Sequence, residues 1–130
     1  MSNIFFKGSR ESVLLPLVAE CLTATGGKFR INFKARFRCP TQDERREMSE
    51  AFSAGTLSDD DAVDLLIQDW QDVRDAQDEP IPYNEENLKA ALQEVPYRNA
   101  LVEGALTMIY GKQVLEAVRQ KNLRKPGATG

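Results

Sequence analysis

The 130-residue chain contains no histidine, and this absence removes much of the familiar catalytic chemistry. It excludes Ser–His and Cys–His nucleophile pairs, histidine metal sites and the commonest general base near neutral pH. The two cysteines, Cys21 and Cys39, are too few for a disulfide framework and lack the spacing of a zinc or redox motif. We therefore expect no enzymatic activity, no catalytic residues, no cofactor and no metal ion.

Long apolar runs are also lacking. The best run, residues 13–19, is interrupted by Pro16 and falls far short of the roughly 18 residues that a membrane span requires. A composition of 42% hydrophobic and 28% charged residues is typical of a soluble globular protein. We expect a cytoplasmic protein with no membrane partner, folded as a single domain over residues 1–122 and followed by a flexible basic tail at 123–130.

The net charge of −3 hides a strong segregation along the chain. Residues 1–40 carry a net charge of +5, residues 41–94 carry −12 and residues 95–130 carry +4. Blocks of opposite sign favour contact between the ends and the middle, either within one chain or between copies of it. This pattern predicts a homo-oligomer, and the acidic middle block argues against a nucleic-acid partner because it repels phosphate.

Residues 28–39 alternate strictly between apolar and polar side chains, which predicts a β-strand with an aromatic face and a basic face. The glycine-rich turn at 25–27 and the apolar run before it complete a β-hairpin over about residues 13–39. A helix over residues 9–21 is the alternative for the first element. Pro16 fits an edge strand somewhat better than a helix interior.

About four helices are predicted after the hairpin, over residues 42–122. Thr41 and Glu44 have the spacing of a capping box that opens the first helix. Ser58 caps the second helix, whose apolar stripe includes Trp70 as a core residue rather than a binding residue. The predicted fold class is α+β, with an N-terminal β-hairpin followed by a small helical bundle.

The last two predicted helices are separated by a proline. Asn84 caps a short helix, and Pro96 breaks it or restarts it as a long final helix over about residues 97–122. Gly104 and Gly111 lie near one apolar stripe of that final helix, so we expect them to let another helix approach closely.

The order of these motifs carries a resemblance to a known family. The motifs are, in order, the basic-aromatic strand at 33–38, the capped start at 41–44, the tryptophan segment at 65–73, the acidic proline loop at 78–84 and the Glu-Asn-Leu sequence at 86–88. Over roughly residues 18–115 the chain resembles the tail assembly chaperones of long, non-contractile-tailed bacteriophages.

The resemblance implies a non-enzymatic morphogenesis factor in the cytoplasm of an infected bacterial host, absent from the mature virion. Its expected partners are the tape measure protein, the tail tube protein and further copies of itself. In many members of the family a ribosomal frameshift also produces a longer form.

We expect the protein-binding surface on the alternating strand and on the last helix. Its predicted residues are Phe29, Arg30, Phe33, Lys34, Arg36, Phe37, Arg38, Met108 and Leu115. The main alternative is a small nucleic-acid-binding regulator that uses the basic hairpin. Two further alternatives are a cation-dependent hydrolase that uses the acidic middle block, and a structural connector kept in the finished particle.

Overall fold

The computed structural model describes residues 12–111, which form a three-stranded antiparallel sheet and four helices. In chain order the elements are β1 (Ser12–Leu22), β2 (Lys28–Arg38), α1 (Gln42–Ala54), α2 (Asp59–Leu66), β3 (Ile67–Gln71), α3 (Glu85–Ala91) and α4 (Val95–Tyr110). The predicted α+β class is confirmed. The predicted tail at 123–130, and the part of the last helix predicted beyond Gly111, lie outside the described residues.

The two long strands form the predicted hairpin. Their register runs without interruption from the pair Ser12 and Arg38 to the pair Leu22 and Lys28, and β2 also pairs with β3, so the sheet order is β1-β2-β3. Pro16 therefore lies in an edge strand, as the sequence favoured, and the helical alternative for this element is wrong.

The second predicted helix ends earlier than expected. It stops at Leu66, and Ile67 adopts extended backbone angles that lead directly into β3. Trp70 is a core residue, as predicted, but it is held on a strand, where the indole Nε1 donates to the carbonyl oxygen of Ile81 at 2.7 Å. The segment is extended because its backbone groups pair with the free edge of β2. The helix prediction used only the spacing of nearby apolar residues, which carries no information about this distant partner.

The helix starts are set by local side chains, as the sequence predicted. Thr41 and Ser58 each form a complete capping box, and the Asn84 side chain accepts a hydrogen bond from the amide of Asn87. The third helix ends at Ala91, and the last helix restarts with Pro96 in its first turn.

A single hydrophobic cluster joins the inner face of the sheet to the helices. Helix α4 crosses this face, and a Cβ atom placed on Gly104 would lie 2.6 Å from Cε2 of Phe37. Gly104 thus permits close approach of a strand side chain rather than of another helix, which corrects the sequence expectation. Gly111 has a different role, because it follows the last turn of α4 with a φ of 82°.

Candidate protein-binding surface

The aromatic residues predicted to bind a partner are divided between the core and the surface. Phe33 and Phe37 are 2% and 0% exposed, and Met108 is also buried, so the structure places these three in the core instead of on a contact surface. The two phenylalanines point inward because the odd-numbered residues of β2 face α4, and Met108 lies on α4 itself. Phe29, near the hairpin turn, remains 45% exposed, and Leu115 lies outside the described residues.

The predicted basic row lies on the outer face of β2, opposite the core. Each of its four members has a polar partner within the chain. The contacts are Arg30 Nε to Glu20 Oε2 at 3.8 Å, Lys34 Nζ to Asp72 Oδ2 at 3.6 Å, Arg36 Nη1 to Ser12 Oγ at 3.1 Å and Arg38 Nη1 to Glu44 Oε2 at 3.0 Å. Oppositely charged blocks therefore meet within one chain, although each exposed pair contributes little stability.

Glu44 joins the basic row to the start of α1. Its carboxylate accepts from the backbone amide of Thr41 at 2.8 Å and from Arg38, and both contacts lower the pKa of Glu44. The charged form of this side chain therefore stabilises both the helix cap and the end of β2.

An apolar row that sequence reasoning missed lies beside the basic row. It consists of the outward-facing side chains Leu14, Pro16, Val18 and Leu22 on β1, of which Val18 is 43% and Leu22 70% exposed, and Glu20 interrupts it between these two. None of the outward-facing residues of β1 and β2 is buried. The continuous apolar run at 13–19 was the signal, because consecutive apolar residues in a strand occupy both faces.

The outer edge of β1 has backbone groups with no strand partner among the described residues. The Thr23 amide donates to the Gly27 carbonyl at 2.8 Å, which makes these two residues a hydrogen-bonded pair. Hydrogen-bonded and non-hydrogen-bonded pairs alternate along an antiparallel ladder. The backbone groups of the odd-numbered residues of β1 therefore bond to β2, and those of the even-numbered residues point to the free edge. Pro16 is even-numbered, and its missing amide costs the ladder no hydrogen bond.

A groove of about 690 Å³ opens at the turn end of the hairpin. Its apolar wall includes Phe29, Ile31, Trp70, Ile81, Ala90 and Tyr97. The charged lining residues are Asp75, Glu94 and Arg74, and Arg74 is already paired with the Asp78 side chain and carbonyl. The lining comes from the hairpin, the 70–81 segment, α3 and the start of α4. The sequence did not predict this groove.

The thiol and phenol side chains with shifted pKa values are all partly buried. Within residues 12–111 there is no group of three or more acidic or thiol side chains placed to hold a metal ion. Burial raises the pKa of the Cys21 thiol, which makes it a poorer nucleophile. Burial also raises the pKa of Tyr83 and of Tyr97. No helix in this part of the chain is long and apolar enough to cross a membrane.

Comparison with known proteins identifies no relative: no family model matches the chain, and no match was found among curated proteins or solved structures.

Proposed function

We propose that this protein is a non-enzymatic tail assembly chaperone of a bacteriophage with a long, non-contractile tail. In the cytoplasm of the infected host, several copies bind the helical tape measure protein, help to recruit tail tube subunits and leave before the virion is complete. The sequence resemblance over residues 18–115 supports the family. The observation that carries the binding role is the outer face of the hairpin, where none of the described outward-facing residues is buried and an apolar row lies beside a basic row.

An amphipathic helix fits these two rows. Its apolar stripe would contact Val18 and Leu22, and acidic residues beside the stripe would face the cations of β2. An eleven-residue strand is about 37 Å long, enough for roughly seven turns of helix. Because half of the surface is polar and its charges are already paired, each contact is weak. Many copies on one long client would then hold it by avidity.

The direct test is binding to a tape measure protein encoded in the same tail gene cluster. Replacing Val18→Thr and Leu22→Thr keeps strand-forming residues but removes apolar contact, so we expect the dissociation constant to rise about tenfold. The matched control is Leu65→Thr, which changes an exposed leucine on α2. Equal client binding by both variants would remove the outer face from the proposal.

The same preparation tests the nucleic-acid alternative. Arg30, Lys34 and Arg38 already contact carboxylates of their own chain, so fewer unpaired cations remain for phosphate. We expect no shift of duplex DNA in a gel at low salt. A salt-sensitive shift that is lost on Arg36→Glu would favour the regulator instead.

A further inference from the structure

The groove at the turn end of the hairpin has an apolar wall, and most of its lining comes from an acidic segment of the chain. Two aromatic rings, Trp70 and Tyr97, contribute to the wall. The segment from residue 70 to 94, which supplies most of the lining, has a net charge of −5. A ligand suited to this groove is therefore apolar on one side and positively charged around it.

The chain itself contains a segment of this kind after α4. Residues 112–125 carry five basic residues and one acidic residue, for a net charge of +4. Within the segment, Val114, Leu115 and Val118 have the i, i+1, i+4 spacing of one face of an amphipathic helix. Both the charge and the apolar pattern complement the groove.

Leu115 cannot occupy the groove of its own chain. Phe33 packs against Tyr97 in a tilted arrangement with ring centroids 5.2 Å apart, and Phe37 lies against Gly104, so β2 and α4 run in the same direction. The turn end of the hairpin therefore lies near the start of α4, and the groove is at that end.

The length of α4 separates the groove from the apolar face of the segment in the same chain. The fourteen residues from Tyr97 to Gly111 rise by about 21 Å at ~1.5 Å per residue. Bound as a helix, the segment would place Val118, seven residues after Gly111, no more than about 11 Å back along α4, so its apolar face would stay short of the groove of the same chain.

From these observations we infer that the groove binds residues 112–125 of a second copy of the chain. The contact is head-to-tail, because each copy offers a groove at one end of α4 and an apolar basic segment at the other. Such an interface leaves one groove and one segment free after every addition, so it builds rings or open chains rather than closed dimers. The inference rests on the proposed function and deepens it, because it gives self-association a site.

The test uses one full-length variant for each half of the contact. Ala90→Arg places a cation on the exposed α3 position of the groove, and Ala90→Glu is its control, with similar bulk and opposite charge. Leu115→Glu with Val118→Glu disrupts the segment, and Gln113→Glu with Gln120→Glu is its control for charge. Circular dichroism and Trp70 fluorescence verify that each variant is folded.

Sedimentation velocity should show concentration-dependent assemblies for the wild type and for both controls. We expect Ala90→Arg and the Leu115/Val118 variant each to be monomeric, with self-association weakened about tenfold or more. An equimolar mixture of the two should form a heterodimer and nothing larger, because one intact groove then meets one intact segment.

The proposal is overturned if the wild type is monomeric at all concentrations, if either disrupting variant assembles like the wild type, or if the mixture remains monomeric. Client binding by single copies is measured separately on Ala90→Arg. If that variant and the wild type bind the tape measure protein while the mixture forms no heterodimer, the inference fails and the proposed function stands. If neither binds the client but the heterodimer forms, the proposed function fails and the groove contact stands.

Discussion

At the scale of single residues, Gly104 sets how closely α4 approaches the sheet. Any side chain at this position would enter the space of the Phe37 ring, which is fully buried. A glycine in a helix interior costs about 1 kcal/mol relative to alanine. Glycine is nevertheless favoured at position 104 because the Phe37 ring occupies the space that a Cβ atom would need.

Gly104→Ala should therefore lower stability despite its better helix propensity. Overpacking of a core costs about 1–3 kcal/mol, and we expect a net loss of about 1 kcal/mol or more. Urea unfolding followed by Trp70 fluorescence measures it. Adding Phe37→Leu to the variant should recover part of the loss, and a Gly104→Ala variant as stable as the wild type would show that the packing at this crossing is looser than described.

Glu44 gives stability a dependence on pH. Its pKa is lowered in the folded protein, so its contribution is present at neutral pH and is lost as the pH falls through the lowered folded pKa, below the ordinary glutamate value of about 4.3. Because the side chain is partly exposed, we expect Glu44→Gln to cost no more than about 1 kcal/mol at pH 7. Unfolding at pH 7 and pH 3 should show the difference between variant and wild type shrinking at pH 3, and a constant difference would contradict this role.

At the scale of elements, β1 is a strand with two different edges. Counting from the hydrogen-bonded pair of Thr23 and Gly27, the even-numbered residues of β1 direct their backbone amides and carbonyls to the free edge of the sheet. Pro16 already occupies one such position. Proline should therefore be tolerated at Val18, two residues after Pro16, and not at Ala19.

Val18→Pro and Ala19→Pro test this assignment as a matched pair. The amide of Val18 faces the free edge, whereas Ala19 faces Ile31 and its amide bonds to β2. We expect Ala19→Pro to be the more destabilising by about 2 kcal/mol or more, as measured by urea unfolding. Equal losses of unfolding free energy would mean that the amides at the free edge and the amides bonded to β2 are assigned incorrectly.

The elements that the sequence predicted are those that depend on neighbouring residues. The caps at Thr41 and Ser58 act over three residues, and the alternation of β2 is a local pattern, so each is visible in a short stretch of sequence. The strand containing Trp70 was missed because it forms only against a distant partner, β2. The groove was missed for the same reason, since its walls come from four separate segments.

At the scale of the whole molecule, charge is arranged in blocks of opposite sign that meet within the chain. Arg98 contacts Asp60 at 3.0 Å and Lys34 contacts Asp72, so the basic ends already meet the acidic middle inside one molecule. In the head-to-tail contact that we propose, the basic segment after α4 would extend this arrangement to a neighbouring copy. Raising the salt concentration from about 0.05 M to about 0.5 M shortens the Debye length and should weaken self-association several-fold in sedimentation velocity. Assembly that is unaffected by salt would show that apolar contact carries it without the charges.

In the role that we propose, the protein acts by binding, in several copies, to a long helical polypeptide. Light scattering coupled to size-exclusion chromatography measures this directly, on the full-length protein purified together with the tape measure protein. We predict a complex whose mass corresponds to many copies of the chain on one tape measure protein. A tape measure protein that elutes with no chain bound, beside a chain that elutes as a monomer, would contradict the account.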